Sequence, residues 1–219
     1  MDSALQASLA KKGLYLVKRI GKGHSSHVFL LKAMQGKLLS NCPKGNLVFP
    51  RAFFQKEKRL VAKAERPDST RFKMAERESK NLEKANALGI GPKLYGFDLE
   101  KKVILMEYIE GIPFSEWLFS GPKKKELAKF IKELLRQADA LDKAGLDHGQ
   151  LQGKGKNILA RKGKPVIIDF EKASLNRKCH NLSVIQGFLF KNPNGAVAKK
   201  VKEMLENGTD FFNAQNQLL

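Results

Sequence analysis

The stretch 146–171 constrains this chain more than any other part of it. It runs from a polar loop into two short apolar segments, 158–160 and 166–169. The Lys-Gly step at 162–163 between them is a turn signal, so the pair reads as a β-hairpin. Asn157 stands just before the first strand and Asp169 closes the second. Pairing the strands brings this amide and this carboxylate to one mouth of the hairpin. Oxygen ligands of that kind suit a hard cation such as Mg2+ that carries phosphates. A surface hairpin with polar ends has the same local pattern, so the residues upstream have to decide between the two.

Residues 2–12 read as a helix that stops at Gly13, and 14–17 as a strand. Gly21 and Gly23 then lie in a turn between two β-prone runs. Such a turn can lay its amides over phosphate because glycine lets the backbone approach closely, although a plain hairpin carries the same signature. His24 and His27 have no metal-ligand spacing and read as exposed polar residues. Residues 34–58 form an irregular basic insertion whose Phe49, Phe53 and Phe54 suit packing onto the small lobe; a nucleic-acid platform is the alternative. The strand 60–63 ends in Lys63. This lysine lies at the sheet edge or, directed inward, is a point charge for phosphate.

Residues 68–87 read as a helix with Asp68 or Ser69 as N-cap. Met74, Glu78, Leu82 and Ala85 share one face, so Glu78 interrupts an apolar stripe. A carboxylate there needs a partner, and an inward lysine from the preceding strand is the natural one. A solvated charge at the edge of the stripe is the competing reading. Strands are expected from 93 and over 102–109, with 110–113 as a linker at the lobe boundary. Helices follow over 115–118 and 124–144. In the second of these, Leu127, Ile131, Leu134, Leu135, Ala138 and Leu141 make a strong apolar face. Gly145 ends it and delivers the chain into the polar loop. Residues 183–190 and 196–205 also read as helical, and 207–219 carries no clear pattern.

Charge is the extreme feature of the composition. The 219 residues carry 41 Lys and Arg against 22 acids, a net charge of +19, which favours polyanionic partners. Lys154, Lys156, Arg161, Lys162 and Lys164 crowd the loop and hairpin. RNA, or an acidic or phosphorylated partner, is therefore expected there, with a solvated turn as the alternative. No apolar run approaches the roughly 20 residues that a membrane span needs. The N-terminal ten residues have an early acid and no apolar core, unlike a secretory signal. Cys42 and Cys179 lack metal-ligand spacing and read as ordinary thiols, so a cytoplasmic location is expected.

Taken in order, these pieces resemble the protein-kinase fold, and within it the small atypical branch around the RIO kinases and the compact predicted serine/threonine kinases of archaea. The resemblance implies an α+β, bilobal architecture: an antiparallel N-lobe sheet with one helix over 1–109, then a trimmed, mostly helical C-lobe over 110–219. It implies ATP and Mg2+ as cofactors in a cleft between the lobes. Gly21 and Gly23, with Val28, would cover the nucleotide; Lys63 would grip its phosphates with Glu78 as helix partner. Glu107–Ile109 would be the hinge whose backbone holds adenine, with Met106 behind it, and Asn157 and Asp169 would hold metal.

Three departures matter. The family's His-x-Asp-Leu reads His148-Gly149-Gln150-Leu151, which places a neutral amide at the base position. Glu171 replaces the glycine of Asp-Phe-Gly, and no Ala-Pro-Glu follows. Asp147, three residues before Gln150, is expected to supply whatever base or orienting carboxylate remains; the alternative is that it only caps the loop. The expected function is ATP-dependent phosphotransfer to a protein or small-molecule acceptor, as an atypical serine/threonine kinase, or ATP hydrolysis. Two other readings stay open: an ATP-sensing module on RNA or ribonucleoprotein, and a small-molecule phosphotransferase.

Overall fold

Apolar alternation builds the first sheet and makes its two faces unlike. The computed structural model describes residues 3–11, 13–23, 25–33, 58–69, 72–151 and 155–206. The chain divides into two compact units. One comprises Met1–Glu83 and Pro92–Tyr108, the other Lys84–Gly91 and Ile109–Leu219. In the first unit, β1 (Leu14–Lys22), β2 (Ser26–Ala33), β3 (Lys58–Glu65), β4 (Leu94–Asp98) and β5 (Val103–Glu107) form an antiparallel sheet in the order β1-β2-β3-β5-β4. Helix α1 (Ser3–Lys11) contributes Leu5 and Leu9 to a core with Phe29, Leu31, Leu60, Ala62 and Leu105 of the sheet. Successive strand residues face opposite sides. The register pairs Val28 with Lys63 and Lys63 with Ile104, which places all three on the face away from that core. Leu30, Val61 and Met106 form the next row of this second face.

Helix α2 (Met74–Ala87) begins later than the 68–87 expected from sequence. Asp68 does not cap it. Its carboxylate takes the Arg66 guanidinium, with Nε to Oδ1 at 2.9 Å, while the helix N-terminus is satisfied by Glu65, whose Oε1 accepts from Ala75 N–H at 2.8 Å. A charged acceptor from the end of β3 thus replaces the local cap. Met74, Glu78, Leu82 and Ala85 are all buried. Strand β1 also runs further than 14–17, through Gly21 to Lys22, with Gly23 just beyond its end. Two register shifts absorb the mismatch with β2.

In the second unit, Ile112–Pro113 forms a short strand, β6, rather than a linker, because it pairs with β7 (Ile158–Arg161). Strand β7 in turn pairs with β8 (Lys164–Ile167), giving a sheet in the order β6-β7-β8. Lys162 and Gly163 both have positive φ, 51° and 72°, the conformation of a two-residue type I′ hairpin. Helices α3 (Phe114–Phe119) and α4 (Lys124–Lys143) follow the expected amphipathic pattern. Phe114 and Phe130 stack at 5.0 Å and Trp117 stacks on Phe130 at 4.6 Å. Each large apolar side chain buried along α4 contributes about 1.5–3 kcal/mol. Gly145, at φ 71°, turns the chain off α4. After β8 come α5 (Asn181–Gln186), a π-helical turn Gly187–Lys191 and α6 (Ala196–Glu206). His24, residues 34–57 with Cys42 and the insertion's phenylalanines, Lys154 and the tail 207–219 lie outside the described residues. Among the described residues no helix is long and apolar enough to cross a membrane.

Candidate active site

In the first unit the sheet's second face carries the ionic feature. Lys63, between Val28 and Ile104 in the ladder, reaches Glu78 of α2, with Nζ 2.7 Å from Oε2 and both side chains under 10% exposed. Taking two charges out of water costs more than a surface pair returns, so such a pair is poor evidence of a device for stability. It does fix a cation on an otherwise apolar face that includes Val28, Val61 and Met106. At the turn between β1 and β2, Gly23 donates to Ser26 O at 2.8 Å, so this amide is already used inside the turn. Arg66 donates to Gly23 O at 3.2 Å from the far side. A Cβ on Gly21 would come into van der Waals contact with Val28 Cβ at 3.4 Å. His27 is half-buried rather than exposed. Burial, followed by Arg19, Arg66 and Lys22, holds its pKa below the usual histidine value. At the end of β5, Glu107 N–H donates to Lys93 O at 2.8 Å, while its carboxylate accepts from Lys93 N–H at 3.3 Å.

In the second unit the hairpin ladder runs one step past its strands. Ile168 N–H donates to Asn157 O at 2.9 Å, which leaves Asp169 as the next residue. Asp169 then turns sharply, at φ 68° and ψ 69°, a left-handed conformation that aspartate tolerates better than most residues. The Asn157 amide nitrogen donates to Gln150 O at 3.0 Å. Its oxygen carries no hydrogen bond among the described residues, which suits an oxygen ligand for a hard cation. Ile109 is buried, and Glu171 is buried in a 3-10 turn directly after Asp169.

The polar loop is held by residues that the sequence does not flag. Asp147 is buried and exchanges backbone hydrogen bonds with Ser174, at 3.0 and 2.8 Å. Its carboxylate takes the guanidinium of Arg177, with Nε to Oδ2 at 2.7 Å. Arg177 also donates to Lys172 O at 2.9 Å, so it ties the segment after Asp169 to the loop. His148 is fully buried. Its Nε2 must carry the proton, because it lies 3.0 Å from the carbonyl oxygen of Ile168. Burial pushes its pKa down to about 4, against the opposing pull of that carbonyl, Asp169 and Asp147. Asn181 accepts from His148 N–H at 2.8 Å and donates to Leu146 O at 2.8 Å and to Asp142 Oδ1 at 2.7 Å. Of these partners only Asn181 leaves a sequence trace, as an N-cap type just before an apolar run. Arg177 and Asp142 leave none, because their contacts span 30 residues or more.

Comparison with known proteins comes down on one family. The RIO domain model matches residues 51–186. That span holds Lys63, Glu78, Met106, Asp147, Asn157 and Asp169, and leaves Gly21, Gly23 and Val28 outside. The KEOPS complex subunit Bud32 of Pyrococcus abyssi is 37% identical over 95 residues, which cover 43% of this chain and 42% of that protein. The EKC/KEOPS complex subunit BUD32 of Yarrowia lipolytica is 29% identical over 113 residues, covering 42% of this chain and 45% of that protein. An uncharacterized protein of Methanocaldococcus jannaschii is 31% identical over 105 residues, covering 48% of this chain and 87% of that protein. The chain therefore spans less than half the length of the two Bud32 proteins.

Proposed function

Because this chain belongs to the RIO-domain family, an atypical protein-kinase-like family whose members suggest an ATP-binding function, we propose that it binds Mg·ATP and transfers or hydrolyses the γ-phosphoryl group. The observation that carries the reading is the buried Lys63–Glu78 pair, with Nζ and Oε2 2.7 Å apart. An ammonium held against an apolar sheet face by a helix carboxylate has its position set in advance. It can then meet phosphate oxygens with little reorganisation. In this reading Val28 and Met106 supply the apolar surface for the base and the 107–109 backbone its hydrogen bonds. The turn at Gly21 and Gly23 would cover the phosphates. Asn157, through its oxygen, and Asp169 are the residues that would hold Mg2+. Held there, the metal would supply positive charge to offset that of the phosphates.

Gln150 shapes the chemistry that remains. A neutral amide orients a hydroxyl or water by hydrogen bonds but accepts no proton. Asp147 is the nearest acid in the same loop, and it acts as a base only if Arg177 releases it. Catalysis is then mostly positioning and charge neutralisation. A serine or threonine hydroxyl on a protein is the acceptor we favour. The two Bud32 relatives are named as subunits of a complex, and we propose that this chain also works with protein partners.

Calorimetry with Mg·ATP tests the core of this reading. Binding by the wild type, weakened in Lys63→Ala and Asp169→Ala with the fold retained, supports it; no binding by the folded wild type refutes it. Turnover of labelled ATP, with and without RNA and generic protein acceptors, separates transfer from hydrolysis. If Asp147 acts as base, Asp147→Asn lowers kcat on the order of 100-fold with ATP affinity little changed. Unchanged turnover leaves orientation by Gln150 as the mechanism.

A further inference from the structure

A cavity of about 730 Å3 opens in the second unit between α4 and the turn joining β7 to β8, with Trp117 of α3 in its wall. It uses none of the residues assigned above to nucleotide or metal. The indole is half-buried and backed by Phe130 at 4.6 Å, which gives a rigid aromatic platform. Lys129 on α4 and Lys162 and Lys164 on the turn line the same space. All three are exposed, and no side-chain hydrogen bond or ion pair holds them among the described residues, although Lys164, after Arg136 and Gln137, helps keep the Glu133 carboxyl below its usual pKa. The acids in the wall are already engaged. Glu126 accepts from Lys123 N–H at 3.1 Å, and Glu133 takes Arg136 through two bonds, at 2.7 and 2.6 Å.

From this lining we infer a docking site for an acidic segment of a partner protein, one that carries an aromatic or large apolar side chain between its carboxylates. The apolar side chain would lie against Trp117, and the carboxylates would meet Lys129, Lys162 and Lys164. Lys162 and Lys164 are two of the five basic residues at which the sequence points to an anionic partner. The arrangement favours peptide over RNA. Glu126 and Glu133 stand in the same wall, and a phosphodiester strand would bring a negative charge past them at every nucleotide. A peptide can place its few carboxylates at the lysines and turn backbone N–H donors toward these acceptors. Gln137 is buried in the wall, where its amide nitrogen donates to Glu133 Oε1 at 3.0 Å and to Pro165 O at 3.2 Å and so braces α4 against the hairpin.

Trp117 is the protein's single tryptophan, which makes it a reporter placed in the proposed site. The 219-residue chain, without nucleotide, is titrated with the blocked peptide Asp-Gly-Phe-Gly-Asp, with the same peptide carrying Lys for every Asp, and with a single-stranded oligouridylate. The expected result is a saturable change in Trp117 fluorescence with the acidic peptide alone. Binding should weaken at least about ten-fold in Lys162→Glu/Lys164→Glu, which alters only exposed side chains at the tip of the hairpin, and in Lys129→Glu on the neighbouring helix. No saturable change with the acidic peptide, an equal response to the basic one, tighter binding of oligouridylate, or full affinity in both charge-reversed proteins would overturn the proposal. Because no ATP is present, the outcome is independent of the phosphotransfer reading.

Discussion

Burial of His148 predicts a defined loss of stability in mild acid. Its ring is neutral in the fold, with Nε2–H on the Ile168 carbonyl and a pKa pushed down to about 4, against 6.5 for the free side chain. Between those two values the unfolded chain binds a proton that the folded protein does not, so stability rises with pH there and is lost as pH falls from 6.5 toward 4. Above about pH 7 the group contributes almost nothing to this dependence; below about pH 4 the loss is complete. At about 1.4 kcal/mol per pH unit, the full effect is about 3 kcal/mol, of which about 2.5 kcal/mol falls between about pH 7 and about pH 4.5. Asp169, Asp147 and Arg177 act on the ring as well, and carboxylates elsewhere titrate in the same range. The perturbation is therefore a comparison. His148→Gln keeps an N–H donor for Ile168 O and removes the titration. Urea unfolding of both proteins at the two pH values, in EDTA so that no cation sits on Asp169, yields the difference of differences. The wild type should lose about 2.5 kcal/mol more than the variant. Parallel losses in the two proteins would refute the assignment of a buried, neutral His148.

Three further perturbations bear on how the candidate site is held. Glu78→Gln should cost at least about 1–3 kcal/mol in thermal unfolding by taking a carboxylate from the buried Lys63 ammonium, and Lys63→Met/Glu78→Leu should lose Mg·ATP binding. Asp142→Ala removes the carboxylate that accepts from Asn181 N–H, Asn181 Nδ2 and Leu182 N–H, at 2.9, 2.7 and 2.9 Å; a loss of about 2 kcal/mol, with faster amide exchange in α5, is expected. Gly149→Ala places a Cβ at φ 72° against the Arg177 guanidinium and 3.0 Å from Lys172 O. It should cost at least about 1–2 kcal/mol by calorimetric unfolding and loosen the Asp147–Arg177 pair.

The local elements of this protein are legible in its sequence. The apolar period of α4 and the Lys-Gly turn between β7 and β8 depend on side chains a few residues apart, and neighbouring chemistry decides them. Glu78 within an apolar stripe likewise announces that a partner is needed. The rest depends on distance in space. Helix α2 starts at Met74 because Glu65, at the end of β3, satisfies its first turn, while Asp68 goes to Arg66. Ile112 and Pro113 look like a linker until β7 lies beside them, since a two-residue strand has no periodicity of its own. Arg177 on Asp147 and Asp142 beneath Asn181 join residues 30 to 40 positions apart. A buried polar group must find a partner, but only the packed chain brings one within reach. Sequence therefore determined which residues needed company, and the tertiary structure decided which company they keep.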